Sequence, residues 1–265
     1  MSATALEYVY GINAVGEMIK HNPKAVTQLY ILDGRQDQRA QTIRDLAAKA
    51  RLPLQLCNKA DFAALLANPF KQLEMDSNET PFDAINHQGV LAECKPSQAR
   101  DEAFLESLIK KSDHALLFLI LDGVTDPHNL GACLRSADAA GADAVIIPKD
   151  NAVGLTPVVR KVASGAAETM PLVVVKNLAR AIKNLQDAGV WVMGAAGEAE
   201  QSVFDLDFSG NIALAMGAEG GGLRRLTRER CDSLFKIPMA GAVESLNVSV
   251  AAGICVFEVL RQRNL

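Results

Sequence analysis

Aromatic residues make up only 5% of this 265-residue sequence, and there is a single tryptophan. Its interior must therefore be aliphatic. The longest unbroken apolar run, Ala115 to Leu121, has 7 residues, against the roughly 20 that a membrane-spanning helix needs. The opening stretch MSATALEYVYGINAVG lacks the basic start and apolar block of a secretory signal. These absences predict a soluble, cytoplasmic protein with no membrane partner. Cysteine is sparse and scattered: Cys57, Cys94, Cys133, Cys231 and Cys255 form no CxxC pair, which predicts reduced, mostly buried thiols. His21, His87, His114 and His128 never fall at i, i+4 and never pair with a cysteine at zinc-finger spacing, so no metal is expected.

Positive charge is also lacking. Lys and Arg number 27 against 31 Asp and Glu, a net charge of −4. That argues against binding DNA or any nucleic acid through bulk basicity, while leaving room for a local patch. One is present: from Ile212 onward 7 bases face 5 acids, mostly through Arg224, Arg225, Arg228 and Arg230. By itself such a cluster reads as a solvated helix face.

What the chain does have is apolar content, 49% hydrophobic, enough for one large core or two smaller ones and incompatible with intrinsic disorder. In the first part, VTQLYILD and LPLQLC read as strands, the stretch from Gln38 to Arg51 as a helix, and Gly89 to Cys94 as a further strand. The acidic, Pro- and Asn-containing segment 68–86 reads as an exposed loop or insertion. The polar stretch KPSQARDEA suits an interdomain linker. Beyond it, ALLFLILDG, AVIIP, LVVVK, VWVMGAA and IALAMG are continuous apolar strands, with helices at about Asn129 to Ala140 and over NLARAIKNLQDAG. Such alternation predicts a parallel sheet covered on both faces. The expected organisation is a small α/β domain over residues 1–95, a linker over 96–112 and a larger α/β domain over 113–265.

In open α/β sheets ligands sit beyond the carboxyl ends of the strands, and three such ends carry polar or glycine-rich sequence. In DGVTDPHNLGACLRS, Asn129 can cap the following helix and Arg135 lies one to two turns in. In MGAEGGGLRRLT the glycines let backbone approach a ligand, yet the loop is neither a Walker A nor a GxGxxG pattern. Glu219 inside it repels a polyphosphate and suits a neutral or cationic ligand. In IPMAGAVESLNVSVAAGICVFEVL, Ser245 and Asn247 precede a helix, Val248 to Leu260, that is apolar nearly all round. That helix must be buried in a core or a subunit interface.

Taken together, in this order and spacing, NLGACLR, MGAEGGGL and IPMAGAVESLNVSVA resemble the three motifs of the SpoU branch of the SPOUT methyltransferases. The likeness covers essentially the whole chain, and YVYGINAVGEMI resembles the L30e-like RNA-binding domain found ahead of the catalytic domain in some members. The resemblance implies methyl transfer from S-adenosylmethionine to a ribose 2′-hydroxyl of RNA, most specifically of a guanosine in 23S rRNA. It implies an α/β catalytic domain with a mainly parallel sheet and a deep trefoil knot, a feature no sequence rule proposes. It further implies a homodimer that completes the active site. Carried over by position, Gly217, Ile237, Met239 and Leu246 contact the cofactor, and Asn129, Arg135, Glu219, Ser245 and Asn247 form the catalytic set.

The chemistry of these residue types agrees. The methyl donor is a sulfonium cation, which a glycine-rich loop carrying an acid can face. A guanidinium stays protonated at working pH, so Arg135 is expected to stabilise the developing alkoxide or clamp a neighbouring phosphate. The other four would orient the hydroxyl, the arginine and each other; the proton acceptor stays open among them. Two further readings remain: a tRNA-directed 2′-O-ribose methyltransferase, and a non-enzymatic RNA-binding scaffold. All site residues lie beyond position 120, which leaves the choice of RNA to residues 1–95.

Overall fold

Alternating apolar residues in the first strands and unbroken apolar runs in the later ones call for two different sheets. The computed structural model describes residues 6–35, 37–70, 86–96 and 99–263. In chain order the first elements are β1 (Glu7–Tyr10), α1 (Ile12–His21), β2 (Val26–Leu32), α2 (Gln38–Ala50), β3 (Leu54–Cys57), α3 (Lys59–Phe70) and β4 (Val90–Cys94). Then come α4 (Glu102–Lys111), β5 (Leu117–Asp122), α5 (Pro127–Ala139), β6 (Ala144–Pro148), α6 (Pro157–Ala163), α7 (Ala166–Thr169) and β7 (Leu172–Val175). The last are α8 (Leu178–Asp187), β8 (Trp191–Ala195), β9 (Ile212–Gly217), α9 (Arg225–Arg230), β10 (Ser233–Phe235) and α10 (Val248–Arg263). Packing groups the chain into two units: Met1–Gln98 with Leu155–Thr169, and Ala99–Gly154 with Met170–Leu265.

The first unit is built on a sheet of order β1-β4-β2-β3, in which β2 and β3 run parallel and the other pairs antiparallel. Alternation divides its side chains between two faces. Val9, Leu29, Ile31, Val90 and Ala92 pack with Val15, Met18, Ile43 and Ala47 from α1 and α2. On the other face Tyr10, Cys57 and Leu91 pack with Phe62 and Leu66 of α3. The side chain of Asp37 caps α2 by accepting from the Arg39 and Ala40 backbone N–H groups, each at 3.1 Å. The strand expected from Gly89 begins at Val90, because Gly89 has φ +62° and belongs to the preceding turn. Most of the segment expected as an exposed loop, residues 71–85, lies outside the described residues; its first residues extend α3 to Phe70.

The α6–α7 stretch, which no periodicity announces, packs with this first unit. Arg160 of α6 is 1% exposed and pairs with Glu168 and, at 3.2 Å, with Glu7. Lys161 Nζ donates to Gln88 Oε1 at 2.8 Å, an oxygen that also accepts from the Ile12 backbone N–H at 3.1 Å. Burial pushes the Glu168 carboxyl above the usual carboxylate range, against the pull of Arg160.

The second unit carries an entirely parallel sheet of order β10-β8-β9-β5-β6-β7. Every residue of β5 and β6 is buried, as strands covered on both faces must be. α8 buries Leu178, Ala181, Ile182 and Leu185 against this sheet, and α4 adds Leu105. The end of α10 is pinned by Arg263, whose guanidinium donates to the carbonyls of Ala115, Leu116, Phe208 and Gly210. The helix expected from Asn129 starts earlier, at Pro127, because Asp126 is its cap: its side chain accepts from the His128 N–H at 2.9 Å. Among the described residues no helix is long and apolar enough to cross a membrane.

Candidate functional site

The carboxyl ends of β5 and β9 lie side by side, with Asp122 in register with Gly217. β5 runs on into the turn before α5, and β9 into the glycine-rich loop that carries Glu219. Position Gly217 tolerates no side chain: a Cβ there would lie 1.9 Å from the Gly222 carbonyl carbon and 2.2 Å from the Leu223 nitrogen. The loop thus folds back onto the strand end, closed by the Gly222 N–H donating to the Ala218 carbonyl at 2.9 Å. The result is a backbone-lined ledge at the carboxyl end of the two central strands.

Three of the expected site residues meet beside it, one from each motif. Asn129 sits in the first turn of α5 and is buried. Its Nδ2 donates to Glu219 Oε1 at 3.2 Å, while its Oδ1 accepts from Asn247 Nδ2 at 2.8 Å. Asn247 Nδ2 also donates to Glu219 Oε1. The amide orientations follow from the donors and acceptors available. Asn247 Oδ1 is committed to capping α10, accepting from the Ser249 N–H at 2.9 Å and Oγ at 2.6 Å. Its NH2 must then face Asn129 and Glu219, and the Asn129 NH2 has only the carboxylate left to meet. Asn129 is therefore no helix cap, whereas Asn247 is both cap and network member.

Arg135 and Ser245 do not join this network. Six residues at about 100° each turn Arg135 away from the face that carries Asn129. It is exposed and, among the described residues, no partner holds its guanidinium. Ser245 is likewise exposed. Of the expected cofactor contacts, Gly217, Ile237 and Leu246 are half-buried and Met239 is 38% exposed. Ile237, Met239 and Leu246 lie in the stretch 237–247, which has neither helix nor strand. Cys133 on α5 and Cys255 on α10 are nearby in sequence, but burial pushes both thiols up to about 12, so neither supplies a thiolate.

Sequence reasoning passed over Asp122. Its carboxylate is wholly buried at the end of β5 and accepts from the Arg224 backbone N–H at 2.9 Å and Nε at 2.5 Å. The pointer was present in FLILD, an acid closing an otherwise apolar strand. Asp122 fixes the chain just after the glycine-rich loop, and with it the direction of Arg224.

Residues 116–257 match the family described as SpoU rRNA Methylase, and residues 8–72 match RNA 2′-O ribose methyltransferase substrate binding. The chain is 51% identical to the 23S rRNA (guanosine-2′-O-)-methyltransferase RlmB of Pseudomonas putida, over 98% of this chain and 98% of the relative. It is 52% identical to RlmB of Pseudomonas aeruginosa over 97% of each. Among solved structures, the SpoU methyltransferase AviRb from Streptomyces viridochromogenes, in complex with the cofactor AdoMet, matches with a TM-score of 0.74. That match covers 98% of this chain and 91% of AviRb at 24% identity, a likeness of fold.

Proposed function

Because the chain belongs to the SpoU rRNA methylase family, we propose that it transfers a methyl group from S-adenosylmethionine to the ribose 2′-hydroxyl of a guanosine in 23S rRNA. The observation that carries this reading is the meeting of Asn129, Glu219 and Asn247 beside the Gly217 ledge. A scaffold protein has no use for such a network. The tRNA-directed alternative is disfavoured by identity near 50% over nearly the full length of relatives named for 23S rRNA.

S-adenosylmethionine supplies an electrophilic methyl on a sulfonium centre. A backbone-lined ledge with an acid beside it, where Asp122 neutralises the nearby Arg224 guanidinium, suits such a cation, and Gly217, Ile237, Met239 and Leu246 would hold it. The chain's own residues then handle the ribose. Glu219, with both amides on Oε1, presents Oε2 as an acceptor for an incoming hydroxyl, and Ser245 lies two residues before Asn247 to help orient it. The Arg135 guanidinium stabilises the alkoxide as the proton departs or clamps the adjacent phosphate.

Since Arg135 points away from the network of its own chain, the same reading has a second copy supplying it. α10 supports this with Val250 and Phe257 exposed at 50% and 46%, seven residues apart on one face. The reading also includes a deep trefoil knot in the second domain, RNA selection by residues 1–95, catalysis within 113–265 after a linker over 96–112, and a cytoplasmic location. The test is incubation of the full chain with labelled S-adenosylmethionine and unmodified 23S rRNA. Digestion should release labelled 2′-O-methylguanosine; label on a base, or none, overturns the assignment.

A further inference from the structure

The basic cluster around Arg224 has so far no task beyond the Asp122 anchor. A cleft of about 420 Å³ opens beside it, at the carboxyl ends of β6 and β7, lined among others by Pro148, Asp150, Lys176, Asn177, Arg225 and Leu226. Its size falls within the roughly 300–1,000 Å³ of small-molecule sites. Its walls are of three kinds. Leu226 is 54% exposed and offers an apolar surface. Lys176 and Arg225 are exposed cations; Lys176 has no side-chain partner among the described residues, and Arg225 has only the exposed, solvent-weakened pair with Glu229. Asp150 and Asn177 bring hydrogen-bonding groups. Asn177 Oδ1 is taken by capping α8, accepting from the Arg180 N–H at 3.0 Å, which leaves its NH2 to donate.

Resting on the methyltransferase reading, we propose that this cleft is a second RNA subsite, seating one unstacked nucleotide of the substrate near the modified guanosine. Lys176 and Arg225 hold its phosphate, Leu226 takes the face of its base, and Asp150 with Asn177 reads the base edge. A purely electrostatic patch would not place a carboxylate among its cations, whereas a base edge with N–H donors requires an acceptor there. The cleft is also rigidly placed. Arg224, on its wall, is clamped by Asp122, and Asp122 pairs in register with Gly217 of the ledge. A nucleotide seated here is therefore held at a fixed offset from the site where the methyl is transferred, as positioning demands.

The experiment uses the full chain with a 23S rRNA transcript. The Lys176→Ala/Arg225→Ala variant should raise KM for the RNA about tenfold and leave kcat and S-adenosylmethionine affinity within about twofold. The slope of log affinity against log salt should fall by about 1.4, the value for two phosphate contacts on a single strand. Asp150→Ala, which removes the acceptor and its negative charge and no cation, separates the two kinds of recognition: a seated nucleotide loses affinity, a bare charged patch gains it. Unchanged KM and salt slope in the double variant, or tighter RNA binding by Asp150→Ala, overturn the subsite. Failure of the wild-type chain to methylate the transcript would instead overturn the methyltransferase reading.

Discussion

Asn247 Nδ2 donates to Asn129 Oδ1 at 2.8 Å across 118 residues of sequence. This bond joins the start of α5 to the start of α10, and the shared carboxylate of Glu219 closes the triangle from the glycine-rich loop. Each of the three would serve as an ordinary surface or cap residue alone; together they tie three loops into one wall.

Asn129→Ala removes both a donor and an acceptor from that wall. It is expected to cost about 0.5–1.5 kcal/mol of stability per lost hydrogen bond, since the partners Glu219 and Asn247 are exposed and stay bonded to each other, and to lower kcat. Urea unfolding and single-turnover methylation would measure the two effects. Full activity with unchanged stability would show that the network is incidental.

Arg135→Ala should behave oppositely on stability. The side chain is exposed, so the change should stay within about 0.5 kcal/mol, and S-adenosylmethionine affinity should hold within a few-fold. Methyl transfer should fall about 100-fold or more, the scale for losing a charge-stabilising donor. If Arg135 arrives from a second copy, mixing Arg135→Ala with Asn247→Ala protein restores part of the activity. Calorimetry and mixed-variant assays would decide.

Gly217→Ala forces the 217–222 loop off the strand end, because the new methyl group would overlap the Gly222 backbone. Affinity for S-adenosylmethionine should drop at least tenfold, about 1.4 kcal/mol. Gly221→Ala meets open space and serves as the control.

How far the sequence disclosed all this varied with the kind of signal. β6 and β9 match the apolar runs AVIIP and IALAMG residue for residue, since a strand buried on both faces has no other way to be written. The α6–α7 stretch was illegible, because VVRKVASGAAET is too short and too mixed to show a period, and its buried Arg160 looks like a surface residue until Glu168 and Glu7 are placed beside it. The site residues were legible through family resemblance alone. From spacing, Asn129 read as a cap, and the real cap, Asp126, stood three residues earlier.

His114 links folding to pH. Its Nε2 lies 2.7 Å from Asp143 Oδ1, and that hydrogen bond, with the Asp143 charge behind it, raises the imidazole above its ordinary 6.5. A raised histidine stabilises the fold fully below the unfolded value and loses its contribution as pH climbs through the folded one. The melting-temperature gap between wild type and His114→Ala should therefore be widest below pH 6.5 and close at higher pH. A gap that is flat or widens with pH contradicts this.

The last prediction concerns what removal of residues 1–95 exposes. Gly217, Asn129, Glu219 and Asn247 all belong to the second unit, so cofactor binding should survive the deletion while methylation of 23S rRNA is lost. The 155–169 stretch should not survive unchanged. In the full chain Arg160 is 1% exposed and Val159 0%, held by Glu7 and by the Lys161–Gln88–Ile12 contacts. Deletion removes Glu7, Gln88 and Ile12 together. Arg160 and Lys161 are adjacent tryptic sites, which makes the consequence directly readable. Trypsin should leave these bonds intact in the full chain and cut them early in the truncated one. A full-length Arg160→Met variant tests the same packing without deletion. It leaves the Glu168 carboxyl buried without its partner, and the cost should approach the roughly 3–5 kcal/mol of a broken buried pair. Protonation of that carboxyl, already pushed upward by burial, should soften the loss at low pH. Equal trypsin resistance in both forms would mean that residues 1–95 do not hold this stretch in place.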